Sequence, residues 1–192
     1  MKTPLIALLA LPLAGCISFG SKPPESLLTL TPSSTVAAGA MRTSGAGQAV
    51  TVVVPTAPAA IATNRVPVYN GATNLAYVKE ALWVDSPARL FQRLVSETVA
   101  ARTGRVVLDI RQYTADPGVR VSGTLINFGI DPAGPNAVVT YDAVLARADG
   151  GVQTQRFESR VPIAVVDANA AGAGLNQAAN AVAADVADWV GR

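Results

Sequence analysis

The residue of this sequence best placed to do covalent chemistry is Cys16, the only cysteine among 192 residues. Ala14 and Gly15 come directly before it, and both are small enough to enter a peptidase groove. Upstream, Lys2 supplies a positive start and residues 5–13 form an apolar run. These are the three parts of a secretory signal peptide. The run is too short to cross a bilayer, which takes about 20 residues, so the sequence predicts a removed export signal.

The four residues Leu13-Ala14-Gly15-Cys16 resemble the bacterial lipobox. The resemblance implies that residues 1–15 are removed and that Cys16 begins the mature chain, with acyl chains such as palmitate on its sulfur and amino group. A thiolate suits this transfer because it is a strong nucleophile. Several acyl chains anchor a protein stably where one is marginal. The next residue is Ile17 rather than Asp, which by resemblance to the enterobacterial sorting pattern favours the periplasmic face of the outer membrane.

Two plainer interpretations of Cys16 remain at this stage. One is an ordinary signal peptide that happens to contain a cysteine, and the other is a buried structural thiol. The position of the cysteine just after the apolar run favours lipidation over both.

The remaining side chains offer little for catalysis. The sequence has no histidine, which excludes Ser-His-Asp and Cys-His catalysis and removes the commonest metal ligand. After the signal the only lysines are Lys22 and Lys79, and neither has Ser-x-x-Lys spacing. The glycines form neither a dinucleotide fingerprint nor a phosphate-binding loop. The sequence therefore predicts a protein that is not an enzyme, with no catalytic residue, no cofactor and no metal.

The charge balance also restricts the partners. The full chain has 15 Lys and Arg against 13 Asp and Glu, and loss of Lys2 leaves 14 against 13. A nucleic-acid partner would require a clustered basic face, so none is expected. Contact with the membrane is expected through the N-terminal acyl chains instead.

Composition divides the mature chain into two parts. Residues 16–48 are rich in Pro, Gly, Ser and Ala and cannot bury enough apolar area to offset ordering entropy, so they are interpreted as an acylated N-terminus and tether. Within the tether, residues 27–31 have the leucines of a short edge strand. If that strand forms, the tether returns to the body early. Residues 49–192 are expected to fold as a single periplasmic domain.

Hydrophobic periodicity within residues 49–192 predicts strands and two helices. Asn70-Gly71 between apolar runs predicts a hairpin of residues 65–69 with 74–79, since both turn residues tolerate positive φ. Ser86 before Pro87 predicts the start of an amphipathic helix that ends at Gly104. Further strands are predicted at 50–54, 105–110, 119–130, 137–148 and 152–165, and a second amphipathic helix from about Ala173. The predicted fold class is α+β, with a largely antiparallel sheet and both helices packed on one face.

Six side chains are candidates for contact with a partner: Arg65, Tyr69, Trp83, Arg156, Glu158 and Arg160. The last three alternate along one predicted strand and so share a face. Their plainer interpretation is an exposed ladder of charges that contributes little energy. The two aromatic residues are either interface anchors or the edge of the core.

The order of these features resembles the ABC-type transport auxiliary lipoprotein family, to which the PqiC-like lipoproteins belong. The resemblance rests on the lipobox, the strand at Leu28-Thr29-Leu30, the valine strand near Val50, Arg65 before a β pair, and "ALWVDSP" before an amphipathic helix. The sequence departs from the family in having Leu28 where an aromatic is usual, and in the Ala- and Gly-rich region after Val166.

The resemblance implies a non-catalytic accessory of MCE-type ABC transporters, which move phospholipids or other hydrophobic molecules across the cell envelope. Implied partners are the periplasmic components of such a transporter and, in a homo-oligomer, further copies of the chain. Two alternatives stay open: a lipoprotein of another envelope assembly or secretion machine, and a periplasmic lipid carrier.

Overall fold

A computed structural model of the chain describes residues 26–71, 73–115 and 118–192. The predicted signal peptide and Cys16 lie outside the described residues. Along the described chain the order of elements is β1 (Val50–Val52), β2 (Arg65–Asn70), β3 (Asn74–Leu82), α1 (Pro87–Thr103), β4 (Val107–Leu108), a 3₁₀ helix (Ile110–Ala115), β5 (Val119–Asp131), β6 (Asn136–Ala146), β7 (Val152–Pro162) and α2 (Ala168–Val190). This confirms the predicted α+β class.

The seven strands of the described chain form one mixed sheet built around β5. One side of β5 pairs antiparallel with β6 along its length, and β6 pairs antiparallel with β7. The other side is shared, because β1 pairs parallel with the first half of β5 and β2 meets its second half at Val68 and Ile130. The predicted hairpin is confirmed as β2 paired antiparallel with β3. The longest ladders are antiparallel, and short parallel pairings add β1 and β4 at one edge.

Both helices pack on the same face of the sheet, as periodicity predicts. Alternate residues of β6, from Ala137 to Leu145, point toward the helices and are fully buried. Three aromatic pairs pack in the core in edge-on or tilted contacts, with ring centroids 5.2–5.6 Å apart: Phe91 with Tyr141, Trp83 with Phe128, and Phe157 with Trp189. The first and third join a helix to the sheet. These contacts place the core between the sheet and the two helices.

The two helices run parallel, so their C-terminal ends lie together. Arg102 at the end of α1 makes a two-pronged ion pair with Asp188 near the end of α2, with Nη2 2.8 Å from each carboxylate oxygen. Arg105 donates from its guanidinium to the carbonyl oxygen of Val190 at 3.2 Å. Positive side chains near the carbonyl-rich helix ends are favoured by the helix dipoles.

The first helix has the predicted boundaries, whereas the second begins earlier than the pattern indicates. In α1, Gly104 adopts φ 72° at the C-terminal end, which suits a residue without Cβ. α2 begins at Ala168 rather than near Ala173, because the Asp167 carboxylate accepts the Ala170 N–H at 2.8 Å and caps the first turn. Gly172 and Gly174, which follow this first turn, lower the helix propensity of the segment and hide its start from periodicity.

The strand predicted at 105–110 is the second difference. It is reduced to Val107–Leu108, and a 3₁₀ helix follows. The Asp109 carboxylate accepts the Arg111 N–H at 2.9 Å, and the Asp109 carbonyl accepts the Gln112 N–H at 2.8 Å. An aspartate that bonds to the backbone two residues ahead favours a turn over a strand.

Candidate interaction surfaces

A segment that we call the strap, residues 28–42, lies along the two helices. Its first residue is held most firmly: the Leu28 N–H donates to Leu82 O at 2.7 Å, and the Val84 N–H donates to Leu28 O at 2.9 Å. Leu28 and Trp83 thus form a parallel β-bridge, the single one made by the described residues before β1. The Leu28 side chain is half-buried against the core. The strap therefore begins where α1 and α2 begin.

Polar side chains of the helices hold the rest of the strap by its backbone. The Thr31 N–H donates to Asn176 Oδ1 at 2.8 Å, and the Ser33 N–H donates to Asn180 Oδ1 at 2.7 Å. Asn180 Nδ2 in turn donates to Thr31 O at 2.9 Å. Further along, Glu97 Oε1 of α1 accepts the Val36 N–H at 2.7 Å. The strap thus moves from α2 to α1 as it runs toward the helix C-termini.

Sequence analysis did not single out Asn176 and Asn180. The available signal was the presence of two asparagines one turn apart, off the apolar stripe of an alanine-rich helix. Asparagine competes poorly as a helix-interior residue unless its amide finds a partner. Here the strap backbone is that partner.

The strap buries little apolar area. It is the segment that composition predicts as tether, and Thr31, Ser33, Thr35 and residues 37–41 are exposed. Leu28 and Leu30 are its side chains that pack against the core. The strap is therefore attached mainly by the separate hydrogen bonds described above.

An open groove of about 920 Å³ lies between the strap, α1 and the edge strand β4. Its apolar wall includes Leu30, Val36, Val84, Leu94, Val107 and Leu108. Charged groups of both signs stand at its rim, among them Arg42, Glu97 and Asp109. Mixed walls of this kind suit a protein segment as well as a hydrophobic molecule.

The second surface, which we call the outer face, is the polar side of β5, β6 and β7 that faces away from the helices. Arg156 makes a two-pronged ion pair with Asp142, at 2.5 and 2.6 Å. Arg160 bridges Glu158 at 2.8 Å and Asp131 at 3.2 Å. A buried hydroxyl extends the network, because Thr140 donates to Glu158 at 2.8 Å.

The electrostatics of the outer face favour fixed charges. Hydrogen bonds from Arg160 and then Thr140 hold the pKa of Glu158 below its ordinary value. The hydrogen bond from Arg156 lowers the pKa of Asp142 in the same way. Burial raises the pKa of Tyr69. These three groups therefore keep their ordinary charge at neutral pH.

The structure brings some of the candidate contact residues together and separates others. Arg156, Glu158 and Arg160 share the outer face as predicted, and Tyr69 lines a depression of about 310 Å³ with Arg160. Arg65 is exposed on β2, with its guanidinium 4.1 Å from the centre of the Tyr77 ring.

Trp83 is 1% exposed and packs edge-on against Phe128, so its side chain belongs to the core of this chain. The sequence leaves open whether Trp83 is an interface anchor or part of the core, and the structure places it in the core. Cys16 lies outside the described residues, and its lipidation stays a prediction.

Two further properties concern the described residues alone. No three of their acidic side chains gather in a way that could hold a metal ion. None of their helices combines the length and apolar character needed to cross a membrane.

Comparison with known structures finds two of similar fold and a weaker match. Protein XCC0632 from Xanthomonas campestris is similar with a TM-score of 0.70 and 19% identity, over 85% of this chain and 93% of that chain. A second crystal structure, of a protein of uncharacterised function, is similar with a TM-score of 0.66 and 13% identity, over 78% and 96% of the two chains. The PelC dodecamer from Paraburkholderia phytofirmans matches with a TM-score of 0.44 and 11% identity, over 76% and 89%. No curated protein matches the sequence.

A family model described as "ABC-type transport auxiliary lipoprotein component" matches residues 28–187. The match begins at the first residue of the strap and ends in the last turn of α2, so it covers both surfaces. The chain belongs to the ABC-type transport auxiliary lipoprotein family.

Proposed function

We propose that this lipoprotein is anchored through Cys16 at the periplasmic face of the outer membrane. There it serves as an accessory of an MCE-type ABC transporter that moves phospholipids or other hydrophobic molecules. Its part is positional, since it acts through protein contacts and without catalysis. The observation that carries the proposal is the family match over residues 28–187, which describes an auxiliary transport component.

The position of the strap supports a short link between membrane and body. Leu28 follows Cys16 by twelve positions, and a fully extended chain of that length spans at most about 40 Å. With Leu28 docked, the body stays close to the membrane that holds the acyl chains. A folded body on a short anchor suits a part that holds a transport conduit in place.

The outer face supports a role in contact. Its ion pairs lie at the surface, with Arg156 64% and Asp142 38% exposed. Exposed pairs of this kind contribute little to folding. They contribute more to association, because complementary charge selects partners and speeds encounter.

The test is recovery of the acylated protein from membranes in mild detergent, followed by identification of its partners. We expect an MCE protein with its permease and ATPase. Recovery of secretion or cell-wall components without an MCE protein would contradict the proposal and favour another envelope machine. Native mass spectrometry of the same sample tests the lipid-carrier alternative, which requires bound phospholipid beyond the acyl groups on Cys16.

Variants separate the anchor from the contacts. Cys16→Ala is expected to leave the fold intact and release the protein from membranes, and a variant that stays membrane-bound would contradict the anchor. Arg156→Glu on the outer face is expected to weaken partner recovery. Arg89→Glu is the matched control, because Arg89 makes a similar exposed ion pair with Asp85 on the helix side.

A further inference from the structure

The strap is recognised mainly through its backbone. Asn176, Asn180 and Glu97 contact N–H or carbonyl groups of the strap. One strap side chain also takes part, because the Arg42 guanidinium donates to the Ala100 carbonyl oxygen of α1. Beyond Leu28 the strap forms no strand ladder with the sheet. A segment held by a few separate side-chain contacts can detach without disturbing the hydrogen bonds of the helices or the sheet.

The strap also contributes little to the core. Leu28 and Leu30 are its side chains that pack there, while the core itself lies between the sheet and the helices. Segments with few buried apolar contacts and exposed backbone bonds open at lower free energy than the whole domain unfolds. Opening of the strap is therefore separable from unfolding of the body.

We infer that the surface of α1 and α2 formed by Asn176, Asn180 and Glu97, which we call the seam, is a reversible docking surface for the strap. Release of the strap then lengthens the link between the membrane and the folded domain. With Leu28 docked, the link from Cys16 spans at most about 40 Å. With the strap released up to Arg42, the twenty-six positions after Cys16 span at most about 90 Å. The change in reach rests on the proposed anchoring of Cys16, whereas the docking equilibrium does not.

Leu28 is the first contact that must break for the link to lengthen. Release of the segment after Leu28 alone opens a surface loop and leaves the link short. The link begins to lengthen when the two backbone hydrogen bonds of Leu28 break and its side chain leaves the core edge. Full extension also requires the contacts of Asn176, Asn180 and Glu97 with the strap to break.

The first experiment is hydrogen exchange on the acylated full chain in detergent. We expect the amides of Thr31, Ser33 and Val36 to be protected, yet to exchange at least about 10-fold faster than core amides of α2 such as Val182. Exchange of the strap only at the rate of the core would overturn the inference, because the strap would then open only by global unfolding. Complete absence of protection would overturn it equally, because the seam would not bind the strap.

Paired variants test which contacts hold the strap. Asn180→Ala is expected to speed exchange at Ser33 by about 10-fold and to leave the core amides unchanged. Gln177→Ala is the matched control, since Gln177 is exposed on the same helix. Equal effects of the two variants would contradict the assignment of the seam.

The second experiment measures reach. A fluorophore is attached to a Gln153→Cys variant on exposed β7, and energy transfer to a dye in the vesicle lipid reports the distance of the body from the surface. Leu28→Ala is expected to increase that distance by about 10 Å or more, while its neighbour Leu27→Ala leaves it unchanged. An unchanged distance in Leu28→Ala, with faster strap exchange, would overturn the change in reach. Failure of all variants to bind vesicles would contradict the anchor and leave the exchange result standing.

Discussion

The side chain of Leu28 occupies the space beside Gly172 where any other residue would place its Cβ. A Cβ built on Gly172 would lie 2.7 Å from Leu28 Cδ2, well inside contact distance. The helical glycine therefore lets the strap approach α2 closely at the point where the strap begins. Gly172 also lies in the first part of α2, which hydrophobic periodicity misses. The missing side chain at Gly172 therefore both weakens the sequence signal for the helix and allows Leu28 to pack closely against it.

Gly172→Ala is expected to loosen the strap with little effect on the body. The clash is with the end of a flexible side chain, so Leu28 shifts while α2 keeps its position. Alanine also raises helix propensity by up to about 1 kcal/mol. The free energy of unfolding should change by less than about 1 kcal/mol in urea, and hydrogen exchange at Thr31 should speed up. Unchanged exchange would contradict the contact.

Gly174→Ala is expected to destabilise the whole domain by about 1–3 kcal/mol. Its Cβ would lie 2.6 Å from Ile163 Cγ2 and 2.9 Å from Ala137 Cβ. Ala137 sits on β6 inside the sheet and cannot move aside. Urea unfolding measures the effect, and Gly172→Ala is the matched control because it makes the same substitution two residues earlier. Equal stability of the two variants would contradict the packing.

Tyr141→Phe is expected to lower stability at neutral pH by about 0.5–1.5 kcal/mol. The phenol is 1% exposed and donates to Ser122 O at 2.8 Å, and burial raises its pKa far above the ordinary value. The neutral phenol therefore stabilises the fold below about pH 10, the pKa of an unfolded tyrosine, and this contribution is lost as pH rises further.

Unfolding measured between pH 7 and 11 tests the sign of this effect. The difference between the wild type and Tyr141→Phe should shrink above pH 10. Tyr77→Phe is the control for the loss of a phenol, since Tyr77 is only half-buried on the hairpin. A difference that stays constant to pH 11 would contradict the buried phenol.

Glu158→Gln is expected to lower stability at pH 7 by less than about 1 kcal/mol, because the pair with Arg160 lies at the surface. Hydrogen bonds from Arg160 and Thr140 lower the pKa of Glu158 in the folded state. Its contribution is present above about pH 4.3, the unfolded value, and is lost as pH falls through the folded value. Acid unfolding curves of the two proteins should therefore converge below about pH 4, and curves that stay parallel would exclude this role.

Local patterns predicted most of the elements because their signals are short-range. Asn70-Gly71 marks the hairpin correctly, and in the structure Gly71 adopts φ 77° while Asn70 pairs with Asn74 as the last residue of β2. Ser86-Pro87 likewise marks the start of α1. The misses at Ala168 and at Asp109 have a common reason. In both places an aspartate bonds to nearby backbone and competes with propensity, and single-residue patterns do not reveal which one prevails.

The candidate contact residues show the same limit. Alternation along β7 placed Arg156, Glu158 and Arg160 on one face, since the side-chain period of a strand is two. Alternation could not assign Trp83 to core or surface, because that depends on Phe128 arriving from a distant strand.

The sequence by itself determined three things: the prediction of an export signal and lipobox at Cys16, the α+β class, and the exclusion of catalysis that needs a histidine. Each of these depends on residue types and their near neighbours. Only the tertiary structure decided that the Gly- and Ser-rich segment lies along the helices, held at Leu28, Asn176 and Asn180. The physical reason is that the asparagine contacts join residues about 145 positions apart in the chain, where composition carries no information about partners.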